Sequence, residues 1–269
     1  MTRKAAHEAP GRRPGHGTWR SYVALGDSFT EGVGDPDPVT GVERGWADRL
    51  AGVLAREDAG FRYANLAIRG LLLDRIVATQ VPAAVRMAPD LVSICAAGND
   101  LLRPTADPDA LAERLEGAVA TLRATGADVL VFTGFDTRAS PLLNLIARRL
   151  AAMNEHIRAI AERQGAYLVD LWVMAPLADP RARTDDRLHL NADGHARVAA
   201  RVCEVLGLPP DTDWRAPWPP PAPSTWAERR AQDARWAREH LWPWVQRRAR
   251  GRSTGDERAA KRPALAAVT

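Results

Sequence analysis

Cysteine is scarce in this chain. The two that occur, Cys95 and Cys203, lie far apart, each in an apolar stretch. No spacing of ligand residues matches a metal site, so we expect neither a structural metal nor any other cofactor. Two cysteines so far apart also exclude a fold that depends on several disulfides. Both thiols are expected to be reduced and buried as small hydrophobic groups.

Long apolar runs are also missing. None approaches the roughly 20 residues needed to span a bilayer. The opening stretch, MTRKAAHEAPGRRPGHGTWR, has no apolar segment of the kind that a secretory signal requires. We therefore expect a soluble, cytoplasmic protein. Residues 1–18 are polar and have little surface to bury, which predicts a disordered N-terminal tail.

A strong excess of one charge is absent as well, because the formal net charge is only +4. The pI of about 9.6 reflects arginines that cluster towards both termini, such as Arg12-Arg13 and Arg247-Arg248. This pattern indicates a basic tail and does not favour nucleic-acid binding by the whole chain. Hydrophobic residues make up 46% of the sequence, which is enough for a substantial core.

A regular alternation of short apolar runs and segments of helical period fills residues 19–208. The five predicted strands are 22–25, 63–68, 91–96, 129–132 and 167–171. The predicted helices between and after them are 45–57, 72–87, 108–125, 142–164 and 192–206. Continuously apolar strands separated by helices predict a three-layer α/β domain, with a five-stranded parallel sheet between helices.

The composition changes after residue 208. The stretch PPDTDWRAPWPPPAPS predicts an extended connector, and Thr225 with Glu228 has the spacing of a helix capping box. We therefore predict a Pro/Trp-rich connector and helix over residues 209–250, packed on the domain, and a disordered tail over 251–269. Six of the nine tryptophans follow residue 210. Three roles are open for them: packing of this segment on the domain, forming a wall of a substrate site, or lying at a membrane interface on an amphipathic helix.

Four short motifs fall at the ends of predicted strands or just before the last helix. Gly26-Asp27-Ser28 follows the first strand, NLAIRG ends at Gly70 after the second, and Asn99 follows the third. The fourth motif is Asp186-Arg187-Leu188-His189. The carboxyl ends of parallel strands meet at one edge of a sheet, where active sites of open α/β folds form. Together, in this order, the four motifs indicate a catalytic site.

This set of motifs resembles the SGNH hydrolase superfamily, also called GDSL-type esterases and lipases, over roughly residues 20–206. The resemblance implies a flavodoxin-like fold, hydrolysis of esters, and functional positions at Ser28, Gly70, Asn99 and His189. Phe29 stands where the family often has leucine, and Ala97 where it often has glycine. Neither position supplies a catalytic group, so the departures bear on subfamily.

The chemistry of the four motifs supports a serine nucleophile. A serine hydroxyl needs a neighbouring base, and an imidazole such as His189 can take the proton and return it to the leaving group. Asp186 is placed to orient that imidazole. The alternatives are Asp185 for the carboxylate and His195 for the base; His195 falls inside the last predicted helix, which favours a structural role.

Three donors are available for the oxyanion of a tetrahedral intermediate. They are the backbone N–H groups of Ser28 and Gly70 and the side-chain amide of Asn99. In isolation Ser28 could equally be a helix N-cap, and Asn99 with Asp100 a simple turn. We expect Asp27 to be a hydrogen-bonding turn residue, and Asp100 to brace the loop of Asn99.

The sequence thus predicts a monomeric serine esterase or acylhydrolase that acts on a small-molecule ester through an acyl-enzyme intermediate. Acyl transfer to an alcohol or sugar acceptor uses the same intermediate and stays open. A third possibility is a non-enzymatic module that binds membranes or nucleic acid through the basic, Trp-rich tail. Nucleic acid is not an expected partner, whereas peripheral membrane contact through the C-terminal helix is compatible with the sequence.

Overall fold

The fold is built around a six-stranded, mostly parallel sheet. The computed structural model describes residues 18–137, 143–220, 225–243, 246, 255–256 and 258–268. Its strands lie in the order β5-β4-β3-β1-β2-β6. They are β1 Ser21–Gly26, β2 Arg62–Asn65, β3 Leu91–Cys95, β4 Asp128–Phe132, β5 Tyr167–Val169 and β6 Arg262–Ala267. The first five strands pair in parallel, as predicted, whereas β6 pairs antiparallel with β2 at the edge.

Helices connect the strands and cover both faces of the sheet. The α-helices are α1 Ser28–Glu31, α2 Gly45–Glu57, α3 Leu73–Arg75, α4 Val81–Met87, α5 Gly98–Leu101, α6 Pro108–Arg123, α7 Ala147–Gln164, α8 Ala175–Ala178, α9 Ala192–Leu206 and α10 Trp226–Trp236. A π-helical segment, Ile76–Gln80, joins α3 to α4, and a second one, Ala237–Leu241, follows α10. Helix starts follow local chemistry, because Asp107 caps the N-terminus of α6, where Pro108 is the first helical residue.

Two hydrophobic cores flank the sheet. β1 is buried along its whole length, and its side chains alternate between the two faces. Tyr22 and Ala24 join a core formed with α2 and α9, where Trp46 is fully buried. Val23 and Leu25 join the opposite core, formed with α4, α6 and α7. This sandwich fixes the carboxyl end of β1, where the first motif begins.

The sixth strand corrects the expectation of five strands and, for residues 262–267 only, the expectation of a disordered tail over residues 251–269. Residues of β6 extend the sheet beyond β2, with Arg62 opposite Ala267 and Asn65 opposite Arg262. The sequence RPALAA hides this strand, because proline and alanine are both uncommon in strands. An edge position tolerates Pro263, since a strand there needs ladder hydrogen bonds on one side only.

Individual residues of the segment after residue 209 contact the α/β domain. Trp214 is buried and its indole N–H donates to Glu204, while the Trp218 indole N–H donates to the Pro176 carbonyl at 2.9 Å. The capping box of Thr225 and Glu228 starts α10, as predicted. The N-terminal tail falls outside the described residues, apart from Thr18, and so does Trp244.

Two further findings concern the cysteines and the possibility of a membrane-spanning helix. Cys95 and Cys203 are both free thiols, the second fully buried. Within the described parts of the chain, no helix has the length and apolar character that a membrane span requires.

Candidate active site

Ser28 is the first residue of α1, directly beyond the carboxyl end of β1. The turn before it is held by the buried side chain of Gln80. This amide accepts from Gly26 N–H at 2.8 Å and donates to the Gly26 carbonyl at 2.9 Å. Both backbone groups of Gly26 are thereby satisfied at the end of the strand, where the sheet ladder stops. Ser28 itself is half-buried and stands at the sheet edge that the sequence predicts.

Asp27 caps the short helix that Ser28 begins. Its Oδ1 accepts from Phe29 N–H at 3.1 Å, and its Oδ2 accepts from the Asn99 side chain at 3.0 Å. Burial raises the pKa of this carboxyl to about 6, because the charged form loses its hydration. Asp27 is therefore a hydrogen-bonding residue of the turn, as expected, and it joins two of the motifs.

Gly70 lies in a turn after β2, where its φ of 76° falls in the left-handed region that suits glycine. The neighbouring Arg69 ties this turn to the helix of Ser28. The Glu31 carboxylate, near the end of α1, accepts from Arg69 N–H at 2.6 Å and from its guanidinium at 2.8 Å and 2.5 Å. Among the described residues, neither Ser28 N–H nor Gly70 N–H donates to a protein acceptor, so both are available to a ligand.

Asn99 lies in α5, directly after β3, and faces the same edge of the sheet. Its side-chain nitrogen donates to Asp27 Oδ2 and to the Leu71 carbonyl, each at 3.0 Å. Both amide hydrogens are thus engaged within the protein, and donation to an oxyanion requires one of them to be shared or redirected. Asp100 braces the neighbouring loop, as expected, because its carboxylate accepts from Leu73 N–H at 3.0 Å.

Asp186 and His189 form a direct hydrogen bond, with Oδ2 and Nδ1 separated by 2.6 Å. The other carboxylate oxygen accepts from the backbone N–H groups of Leu188 and His189 at 2.8 Å and 2.9 Å, and from the Thr184 hydroxyl at 2.7 Å. Partial burial favours the neutral form, but the hydrogen bond to the His189 imidazole, together with the two backbone donors, holds the pKa of Asp186 well below its usual value. Asp186 is therefore a fixed anion beside the imidazole.

The loop of His189 packs against the loop that follows Ser28. Gly34 lies so close to the Leu190 carbonyl and the Thr184 side chain that a Cβ at this position would overlap both. The four predicted motifs thus converge on one edge of the sheet. No hydrogen bond joins Ser28 and His189 among the described residues. Such bonds are often long in ligand-free enzymes and tighten when substrate binds.

The two rival residues of the sequence analysis have other surroundings. His195 is fully buried in α9, where Nδ1 accepts from Trp46 N–H at 3.3 Å and Nε2 lies 3.2 Å from the Val33 carbonyl. Burial lowers its pKa to about 4, so this imidazole is neutral and structural. Asp185 is exposed, and the contact to His189 is made by Asp186.

Sequence reasoning missed the residues that support the site from behind. Gln80 is one, and the pair of Glu31 and Arg69 is another. The sequence carries no clear signal for Gln80, because the predicted helix 72–87 also contains the polar residues Thr79 and Arg86. In the structure Gln80 lies in a π-helical turn, a feature that is frequent at functional sites. Arg69 stands inside the second motif and Glu31 lies three residues after the first, but nothing in their spacing indicates that they pair.

Residues 24–197 match the family described as GDSL-like lipase/acylhydrolase. The chain belongs to this family. The matched segment contains every candidate site residue named above and ends before the Trp-rich segment and β6. GDSL-like enzymes are hydrolases of lipids and other acyl compounds, so the class of chemistry agrees with the arrangement of Ser28, Asp186 and His189. No curated protein matches the chain in sequence.

Solved structures with this fold include an α/β hydrolase and an acetyl xylan esterase. LAE5, an α/β hydrolase from the metagenome of Lake Arreo in Spain, is 21% identical, with a TM-score of 0.59 over 70% of this chain and 95% of its own. A mutant of Axe2, an acetyl xylan esterase from Geobacillus stearothermophilus, is 20% identical, with a TM-score of 0.60 over 72% of this chain and 97% of its own. TesA is 24% identical, with a TM-score of 0.58 over 69% of this chain and 97% of its own. At these identities the likeness establishes the fold.

Proposed function

We propose that this protein is a serine esterase or acylhydrolase that cleaves carboxylic esters through an acyl-enzyme intermediate on Ser28. The observation that carries the proposal is the 2.6 Å hydrogen bond between Asp186 and His189, on a loop packed against the loop of Ser28. An imidazole held by a carboxylate in this way presents its other nitrogen, Nε2, as a base.

The proposed reaction has two halves. Ser28 Oγ attacks the ester carbonyl carbon while His189 takes the hydroxyl proton at Nε2 and passes it to the departing alcohol. Water then attacks the acyl group on Ser28, again with His189 as the base; the bond from Ser28 Oγ to the acyl carbon breaks, His189 returns the proton to Oγ, and the carboxylic acid leaves. Asp186 keeps the imidazole in one tautomer and orientation throughout, and stabilises its charge after protonation.

The oxyanion that forms in each half needs fixed donors. Ser28 N–H and Gly70 N–H supply two of them, and the Glu31–Arg69 pair keeps the segments that carry them together. Asn99 supplies the third when its amide shares a hydrogen now given to Asp27 or to the Leu71 carbonyl. Removing one such donor typically lowers the rate by about 100- to 1000-fold.

Work on one structural neighbour supports these roles. Solved forms of Axe2, an acetylxylan esterase, include catalytic mutants in which a serine, an aspartate or a histidine is replaced. The same three residue types form the proposed site here. Because this neighbour acts on acetylated xylan, short acyl groups on sugar hydroxyls join the substrate classes worth testing. Acyl transfer to a sugar or another alcohol uses the same acyl-enzyme and stays a prediction, as do the monomeric state and a cytoplasmic location.

The test is hydrolysis of p-nitrophenyl esters of graded acyl length, from acetate to octanoate, together with acetylated xylo-oligosaccharide. We expect the wild type to release p-nitrophenol, and Ser28→Ala to lower kcat by about 10⁴-fold or more. A fluorophosphonate probe should label the wild type and spare Ser28→Ala. Hydrolysis that survives the substitution at full rate would show that Ser28 is not the nucleophile.

A further inference from the structure

The strained residue of the catalytic loop is Arg187, between Asp186 and His189. Its φ of 59° lies in the left-handed region, which is unfavourable for a residue with a Cβ. This conformation reverses the chain, so that the next two N–H groups both point back to Asp186 Oδ1. The geometry of the catalytic pair therefore depends on a backbone conformation that arginine does not favour by itself.

The C-terminal helix α10 holds this residue from outside the loop. Asp233, on α10, receives a hydrogen bond from the Arg187 guanidinium at 2.8 Å. The same guanidinium lies over the ring of Trp236, at 4.9 Å from the ring centre. The Trp236 indole N–H donates to the carbonyl of Asp186 itself at 2.9 Å. Asp233 and Trp236 of α10 thus bind both the backbone and the arginine side chain at the turn of the loop.

We propose that α10 is a latch on the catalytic loop, with Arg187, Asp233 and Trp236 as positioning residues for the Asp186–His189 pair. The proposal rests on the proposed function and adds a task for a segment that lies beyond the matched family region. In this interpretation the contacts to α10 offset the strain at Arg187 and keep Asp186 in place when His189 takes up a proton. None of the three residues touches the reacting atoms.

The chain offers a matched control in Trp218. This residue belongs to the same Trp-rich segment, is also half-buried, and also donates its indole N–H to a backbone carbonyl at 2.9 Å, that of Pro176. It also carries an arginine over its ring, because the Arg197 guanidinium lies 4.3 Å from the ring centre. The two tryptophans differ in what they hold, since Pro176 lies in α8 and not in the catalytic loop.

The first experiment compares Trp236→Phe with Trp218→Phe. Each change removes one indole hydrogen bond, which is worth about 1 kcal/mol and so costs stability to a similar extent in both. We expect Trp236→Phe to lower kcat by about 3- to 10-fold with KM unchanged, and Trp218→Phe to leave kcat within a factor of two. Equal kcat values in the two variants would overturn the proposal.

The second experiment tests the strain directly by comparing Arg187→Ala with Arg187→Gly. Both variants lose the guanidinium contacts to Asp233 and Trp236 and keep the indole bond to the Asp186 carbonyl, but the left-handed conformation is unfavourable for alanine only. We expect Arg187→Gly to retain more activity than Arg187→Ala, the reverse of the usual order for a loop residue. If alanine is equal or better, the latch does not act through the strained backbone and the proposal fails.

A third measurement does not depend on turnover. The proton between Asp186 Oδ2 and His189 Nδ1 should give a strongly deshielded NMR signal, which we expect to broaden or shift in Trp236→Phe but not in Trp218→Phe. If the wild type hydrolyses no ester and resists the fluorophosphonate, the proposed function fails while this signal still tests the latch. An unchanged signal in Trp236→Phe would contradict the latch, whatever the activity.

Discussion

The α/β domain and the C-terminal segment from residue 209 hold their residues by different means. In the domain, β1, β2 and β3 end at one edge, and two continuous cores hold these strands and with them Ser28, Gly70 and Asn99. The C-terminal segment attaches through single polar anchors, such as the indole of Trp236, and α10 has no buried residue. The first arrangement creates the site, and the second adjusts it from outside.

The largest expected difference in kcat is between variants of two aspartates, one from each region. Asp186 lies in the catalytic loop of the domain, and Asp233 of α10 contacts that loop. Asp186→Asn leaves the shape of the pair but loses the charge that holds the imidazole, and we expect kcat to fall by about 10⁴-fold. Asp233→Asn weakens only an exposed contact to Arg187, and we expect a loss of roughly 2- to 5-fold. Steady-state kinetics at saturating ester measures both. If kcat falls by a similar factor in both variants, Asp186 and Asp233 do not differ in role as proposed.

A second prediction concerns how firmly β6 is attached. The buried ammonium of Lys261 donates to Asp48 and, at 2.8 Å, to the carbonyls of Glu43 and Arg44. Burial lowers the pKa of Lys261 and raises that of Asp48, so each depends on the other to stay charged. We expect Lys261→Met to reduce the free energy of unfolding by roughly 3 kcal/mol, because it leaves Asp48 buried and poorly compensated.

Urea denaturation measures this loss, and kcat for ester hydrolysis should stay near the wild-type value. The double variant Lys261→Met with Asp48→Asn is the control, since it removes the stranded charge and should recover part of the stability. A double variant no more stable than Lys261→Met would show that the lost packing, and not the charge, accounts for the effect.

A third prediction concerns a pH dependence within the domain. His195 has a folded-state pKa of about 4, below its value of 6.5 in an unfolded chain. Between pH 4 and pH 6.5 the unfolded state therefore binds more protons than the folded state. The stabilisation that comes from the neutral, buried His195 is complete above pH 6.5 and is lost as pH falls towards 4. It amounts to at most about 3 kcal/mol. Asp27, whose pKa is raised to about 6, acts in the opposite direction over part of this range.

Comparing the wild type with His195→Gln isolates the histidine, because Asp27 is present in both proteins. The stability difference between them, from urea denaturation at pH 4 to 7, should shrink as pH falls. A difference that stays constant over that range would mean that His195 is not buried as a neutral group.

The domain was predictable because its pattern is periodic and its motifs follow strand ends. The predicted bounds of the helices at 45–57 and 192–206 agree with the structure, and the pairing of Asp186 with His189 follows from their spacing on one loop. Parallel strands buried on both faces leave a clear apolar signal, and the loops after them are where function is expected.

The remainder depends on contacts that a single sequence does not encode locally. β6 carries proline and alanine, and is a strand only because the edge of β2 offers it a ladder. Gln80 meets Gly26, and Trp236 meets Asp186, across long stretches of chain, and one hydrogen bond leaves no periodic trace. The internal bonds of Asn99 are likewise visible only once β1 and β3 are neighbours.

The antiparallel strand β6 also bears on the order in which the protein is made. Its partner β2 is synthesised long before Ala267, the residue that lies opposite Arg62. Until then the nascent sheet has an open edge at β2, of the kind that pairs readily with other chains. β6 therefore covers the edge of β2, and a polypeptide that ends before residue 262 would leave that edge exposed.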